Sequence, residues 1–304
     1  MDPISNYPDS APLLSVLVPT YNFALGLRRI VTTMGDAVHD PAIEIRVHDD
    51  STDDRVANEI ETIVRSCGRG IYRRNQLASG AVPNWNGLLD AASGEYSLLM
   101  HHDEYFESPK VLQDALDVLR DDIDIDGLVF PCRAVSASYP RGRLHMPTRL
   151  ARFIVNACPG YMLRRNALGP PSTLLLRRML YPRYDERLKW MVDCELYVRA
   201  IVLHRPKLVF LSGNGVMHNG AGALSITASL GPAIKRIHAE ELRLLQEQGL
   251  PPARGAWLVS TSVIASLART VEALVWAAFR GAERLTQLAM RRRFCAGRPA
   301  EGQR

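Results

Sequence analysis

The chain has 304 residues, enough for one large domain with an appended piece. Hydrophobic residues make up 47% and charged residues 23%, an ordinary globular balance that excludes wholesale disorder. The net charge of +5 gathers at one end: Ile226 to Arg304 carries +6, which leaves −1 for the rest. The high sequence pI is therefore a property of the tail and says little about the main domain.

Residues 1–12 are polar, with three prolines, and are expected to form a flexible lead without the apolar core of a signal peptide. An alternation of strands and helices follows. Ser15 to Val18 reads as a buried strand stopped by Pro19, and Leu25 to Met34 as a helix. Ile43 to Val47 is a second strand, and Asp53 to Val64 a helix with Val56, Ile60, Ile63 and Val64 at helical spacing. Gly70 to Arg73 is a third strand, followed by a polar loop and a helix through Asn86 to Ala92. Tyr96 to Met100 is a fourth strand, Val111 to Leu119 a helix, and Gly127 to Phe130 a fifth strand. Strands separated by helices need crossover connections, so the fold class is α/β with a mostly parallel central sheet flanked by helices. From Pro131 to Pro182 the pattern dissolves into basic segments with proline and glycine, of the kind that covers a site or binds the variable ligand. A helix is expected from Asp185 to Leu203, and two more from Ala233 to Gln248 and Ala256 to Met290. The expected domains are 13–225, α/β, and 226–304, a helical extension.

In an open parallel sheet, ligands bind beyond the carboxyl ends of the strands. The first strand ends in Pro19-Thr20-Tyr21-Asn22, the second in His48-Asp49-Asp50-Ser51-Thr52-Asp53, the fourth in His101-His102-Asp103-Glu104. Two acidic clusters facing one crevice repel each other, and a divalent cation with a diphosphate is the simplest offset. There is no G-x-G-x-x-G after the first strand, no G-x-x-x-x-G-K-[ST] and no G-x-S-x-G. A Rossmann dehydrogenase, a P-loop NTPase and an α/β-hydrolase are excluded. The five cysteines are scattered and never spaced C-x-x-C, which excludes a disulfide scaffold and a zinc ribbon and fits a reducing, cytoplasmic compartment.

Taken in order, these motifs resemble the family 2 glycosyltransferases, which have the GT-A fold. Leu14 to Asn22 looks like the family's opening strand and nucleotide-contacting turn. His48 to Asp53 is similar to its D-D-G-S-T-D segment, with histidine at the first acid and aspartate at the glycine. Asn75 through Gly80 to Asn84-Trp85-Asn86, then Ala92 to Tyr96, resembles the stretch before the metal strand, and His101 to Glu104 occupies the D-x-D position. The resemblance implies that Pro19, Thr20, Tyr21, Asn22, Asp49, Asp50, Asn84, His102 and Asp103 bind a nucleotide-sugar donor of UDP, GDP or dTDP. Asp103 would hold Mn²⁺ or Mg²⁺ against the diphosphate, with His101 and His218 as further metal candidates. Histidine at the first acid shifts the preference towards Mn²⁺. Asp49 and Asp50 could instead cap the following helix, as could Ser51 or Thr52.

Inverting transfer needs a base to take the acceptor's proton. Asp193 resembles the family's late carboxylate, with an N-cap role as the alternative. Glu195 competes, but carboxylates two residues apart on a helix point about 200° apart, so only one can face a cleft. His218 resembles the family's late histidine. Arg73, Arg74, Arg164 and Arg165 could contact phosphates or form a solvated face. The resemblance implies transfer from a nucleotide sugar to a saccharide or lipid-linked acceptor in surface polysaccharide or glycolipid assembly. A non-catalytic GT-A-like scaffold and a nucleotidyltransferase are the rival readings.

Ala256 to Phe279 is apolar but interrupted by Arg269 and Glu272. A central arginine is costly in a bilayer, and residues 264, 267, 271, 274 and 278 form one stripe. An amphipathic helix is expected, packed on the catalytic domain or another subunit, or lying on anionic lipid beside Arg291-Arg292-Arg293. Nucleic acid is not expected as a partner, because the tail lacks interleaved aromatics.

Overall fold

The computed structural model describes residues 11–219 and 230–247. The chain divides into two compact units, Met1–Ala253 and Arg254–Arg304. The N-terminal lead up to residue 10 and the helix expected over Ala256–Met290 lie outside the described residues.

The first half alternates as β1 (Leu14–Thr20), α1 (Ala24–Met34), β2 (Ile43–Asp49), α2 (Asp54–Arg65), β3 (Arg69–Arg74), α3 (Ala81–Ala91) and β4 (Tyr96–Leu99). Then come β5 (Glu104–Phe106), α4 (Pro109–Asp121), β6 (Gly127–Val129), β7 (Cys132–Ser136), β8 (Tyr139–Leu144) and α5 (Thr148–Ala157). The remainder is β9 (Leu174–Arg177), α6 (Val192–His204), β10 (Leu208–Phe210), β11 (Val216–Asn219) and α7 (Ile234–Glu247). Seven strands form the main sheet in the order β10-β6-β9-β4-β1-β2-β3, and four form a second sheet, β5-β11-β7-β8.

All seven residues of β1 are buried, because β1 lies inside the sheet, parallel to β2 on one side and β4 on the other. Helices cover it with single apolar faces: Leu27, Ile30 and Met34 from α1, and Val111, Leu112, Ala115, Leu116 and Leu119 from α4. Full burial of each large aliphatic chain contributes about 2 kcal/mol. The first acidic segment does not cap α2 with Asp49, Asp50, Ser51 or Thr52. Asp53 is the cap, accepting from the amides of Arg55 and Val56, an arrangement worth about 1 kcal/mol.

Two expectations are corrected, while the main sheet is mostly parallel as expected. The stretch Pro131–Pro182 contains β7, β8, α5 and β9; its elements are too short to show a period. Within it, Leu174-Leu175-Leu176 inserts between β4 and β6 and runs antiparallel to both, so the sheet is parallel everywhere else. The helix expected from Asp185 begins only at Val192. Asp185 accepts the Arg187 amide, forming a turn, and the amides of Lys189, Trp190 and Met191 donate to Glu241 of α7. Those donors are unavailable to helical carbonyls, so the helix starts after them. Among the described residues no helix is long and apolar enough to cross a membrane.

Candidate active site

The ends of β1 and β2 are locked together before any ligand arrives. Asp49 is fully buried and accepts from the Thr20 hydroxyl at 2.9 Å, the Ser51 amide at 3.0 Å, the Ser51 hydroxyl at 2.6 Å and the Tyr72 hydroxyl at 3.0 Å. Asp50 accepts from Asn75 at 2.6 Å, from the Gly80 amide at 3.0 Å and from Ser79. Asn84 donates to the His48 carbonyl and accepts from Asn75. The acidic residues of this segment are therefore offset by the protein's own donors, and their burial by itself demands no cation. Their effect is to fix the turn at Pro19–Asn22 and the loop at 75–80. Asn22, left-handed at φ 49°, ties the first turn to the second by accepting from the amides of Thr52 and Asp53. Pro19 and Thr20 are buried, whereas Tyr21 is 48% exposed. Arg74 pairs with Asp54, and burial beside Arg73 and Arg46 pulls His48 down to about 4, so its ring is neutral.

The segment after β4 holds the second cluster. His101, Asp103 and Glu104 offer ligand atoms within 4.8 Å of one another. Glu104 is buried and binds His101 twice, through Nδ1 at 2.9 Å and the backbone amide at 3.0 Å. Burial would strip the His101 proton, but the Glu104 carboxylate more than offsets it and holds the ring at about 9, as an imidazolium. Trp85 lies against that ring, centroids 4.5 Å apart, which favours the cation further. His102 packs edge-on against Phe23 at 5.4 Å, and burial pulls it down, so it is neutral.

His101 Nε2 is buried without a partner. A ring fixed through Nδ1 by a carboxylate, with Nε2 unpartnered, is the usual arrangement of a metal-binding histidine once Nε2 gives up its proton, and Asp103 offers an oxygen in the same cluster. Those two donors fit a divalent cation. Glu104 belongs behind the ring, as its orienting partner. His218 stands on β11 in register with Glu104, its own Nε2 buried and unpartnered. It does not join the three residues whose ligand atoms converge.

Gly26 of α1 lets this segment pack closely. A β-carbon there would sit 1.9 Å from the His102 carbonyl oxygen. Gly26→Ala should therefore displace the His101–Glu104 turn and cost about 2 kcal/mol or more, read as a lowered denaturant midpoint.

The first turn of α6 carries the two carboxylates in different states. Glu195 is buried in a double ion pair with Arg199, at 2.5 and 2.8 Å. Asp193 has no capping hydrogen bond, and its Oδ1 is buried without a partner. Burial pushes its carboxyl up to about 7, with the His101 charge pulling it down and Glu104 raising it. Position in the first turn does not keep it fully ionised at neutral pH, because desolvation outweighs the helix dipole. His101, Glu104 and Asp193 thus feel one another across the gap between the β4 end and α6.

Sequence reasoning missed three contributors. Trp85 lies inside Asn84-Trp85-Asn86, where the motif points to Asn84 rather than to the ring. Glu104 was read as one more acid rather than as the partner that charges His101. Glu241 lies inside the helix expected from Ala233 to Gln248, but nothing local marks it, since its partners lie some 50 residues away.

No curated protein matches this chain. Among solved structures it is similar to S. aureus TarS 1-349, with 20% identity and a TM-score of 0.53 over 68% of this chain and 60% of that one. The same protein determined in complex with UDP-GlcNAc gives 20% identity and a TM-score of 0.56, over 74% and 64%. A mannosyltransferase from Pyrobaculum calidifontis, in complex with GDP-Man and Mn²⁺, gives 15% identity and a TM-score of 0.50, over 88% and 81%. The chain thus spans less than two thirds of the TarS chains, and at these identities the likeness shows the fold. The family described as glycosyl transferase family 2 matches residues 15–177, more than half the chain and all of the β1-to-β4 machinery. This chain belongs to glycosyl transferase family 2.

Proposed function

We propose that this family 2 glycosyltransferase moves a sugar from a nucleotide-diphosphate donor to an acceptor hydroxyl, with inversion at the anomeric carbon. The observation that carries the reading is Asp193: a carboxyl oxygen buried without a partner, poised at about 7, facing the charged His101–Glu104 pair. A general base works best with a pKa near the working pH. In the proposed reaction Asp193 takes the acceptor's proton as its oxygen bonds to the anomeric carbon. The bond from that carbon to the diphosphate breaks, and the leaving group departs from the opposite face.

The turn Pro19–Asn22 and the loop held by Asp49, Asp50 and Asn84 would cradle the base and ribose of a UDP, GDP or dTDP sugar. His102 and Asp103 would lie at the diphosphate, where the His101 imidazolium is one positive charge. On giving up the proton on Nε2, His101 would hold Mn²⁺ or Mg²⁺ together with Asp103, the nitrogen donor favouring Mn²⁺, so binding of the cation would release a proton. When bound, that cation neutralises charge developing on the leaving diphosphate. The reading extends to surface polysaccharide or glycolipid assembly in the cytoplasm on family resemblance alone.

Calorimetric titration with UDP, GDP and dTDP tests the donor site, each with Mn²⁺, with Mg²⁺ and with EDTA. Binding of one diphosphate that weakens in EDTA is expected. Equal binding in EDTA removes the cation from the proposal, and a folded protein that binds none of the three overturns it.

A further inference from the structure

The near-neutral charge of the main domain conceals a sharp division. From Gly127 to Tyr184 there are ten arginines and not one aspartate, glutamate or lysine. Several arginines meet acids: Arg28 pairs with Glu59, Arg65 with Glu61, Arg120 with Asp40, Arg199 with Glu195 and, near the start of the segment, Arg133 with Glu107. At the end of the segment, Arg177 and Arg183 are likewise tied, to Glu95 and Asp90. Arg141, Arg149, Arg152 and Arg164 are exposed and form no ion pair among the described residues.

Their placement costs local stability. Arg149 stands in the first turn of α5, which holds no acidic residue, so a cation faces the positive end of the helix. Arg149 and Arg152, three apart, share the outer face with Phe153, which is 61% exposed, while Ala151, Ile154 and Val155 are buried. Arg141 lies on β8, the edge strand of the second sheet.

The same segment borders the site: α5 packs on the turn Pro159–Leu163, and that turn packs on α6, which bears Asp193. The β7–β8 hairpin joins the second sheet at β11, next to His218, and β11 pairs with β5 at Glu104. The nucleotide turns belong to β1, β2 and β3, at the other end of the main sheet. A surface of uncompensated guanidinium groups fits phosphate or carboxylate oxygens bidentately, and an exposed aromatic ring beside them fits a sugar face.

We propose that the acceptor is an anionic saccharide chain, bearing phosphate or carboxylate groups, and that α5 and the β7–β8 hairpin hold it while its hydroxyl meets Asp193. The inference rests on the glycosyl-transfer reading above. It assigns the acceptor's charge class, which that reading leaves open.

The test uses the full chain and its Arg141→Gln/Arg149→Gln/Arg152→Gln variant. Both are titrated with dextran sulfate, with uncharged dextran of equal length, and with phosphatidylcholine vesicles with and without phosphatidylglycerol. The variant is expected to bind dextran sulfate about tenfold more weakly, three exposed charge contacts each adding a modest part. The loss should shrink at high salt, and uncharged dextran should bind neither protein well. Dextran sulfate binding unchanged in the variant overturns the proposal, as does uncharged dextran binding equally. A loss of equal or greater size on phosphatidylglycerol vesicles also overturns it, because the surface then meets a membrane. Nucleoside diphosphate titration on the same two proteins separates the readings: diphosphate binding that persists while the sulfated chain is not recognised leaves the donor site standing and removes only the acceptor assignment.

Discussion

Asp193→Asn should lower glycosyl transfer by about 1,000-fold or more, the usual reach of a general base, while nucleoside diphosphate binding is retained. The same substitution should stabilise the fold. Burial holds the Asp193 carboxyl at about 7, well above its ordinary 3.8, so the folded state keeps a proton that the unfolded chain releases. Stability from this group is fully present below pH 3.8 and is lost as pH rises through 7, after which the ionised form costs about 2–4 kcal/mol. Asparagine carries no such cost. Thermal unfolding of the variant should therefore occur at higher temperature than wild type at pH 8 and at the same temperature near pH 4. In the wild-type enzyme, transfer should fall about tenfold per pH unit below 7 and level off above it. An active variant sinks the assignment, and a destabilised one at pH 8 marks the residue as structural.

The second large effect belongs to Glu241. Its carboxylate receives the amides of Lys189, Trp190 and Met191, the residues that lead into the helix bearing Asp193. Glu241→Ala leaves three backbone donors without a partner and should cost about 3 kcal/mol. It should also lower kcat by about 10- to 100-fold, since a base displaced by an ångström loses most of its alignment. Donor affinity should hold, because the turns proposed to hold the nucleotide are built from β1, β2 and β3. Glu241→Gln, which keeps one carbonyl oxygen, should recover part of both losses. A variant that unfolds less easily or keeps full kcat contradicts the positioning role.

The half of the fold built from α/β units was legible because each unit obeys local rules. Buried apolar runs made the strands, single apolar faces made the helices, and the turns between them carried the polar residues. Legibility failed where an element depends on a distant partner. Leu174-Leu175-Leu176 is a short apolar run whose direction is fixed only by the gap between β4 and β6. The start of α6 is set by a glutamate on another helix. The site followed the same division: the residues that converge after β4 are one contiguous run in the sequence, whereas the unpartnered Nε2 of His101 and the orphaned oxygen of Asp193 exist only in three dimensions.

The antiparallel insertion of β9 constrains how the chain reaches this state. Until residues 174–177 emerge from the ribosome, β4 and β6 have no neighbour between them, and the growing sheet shows two open edges at its centre. The segment that fills the gap is separated from β4 by the entire arginine-rich excursion, so closure waits on a long loop. The one-signed charge of that excursion opposes pairing between copies of it.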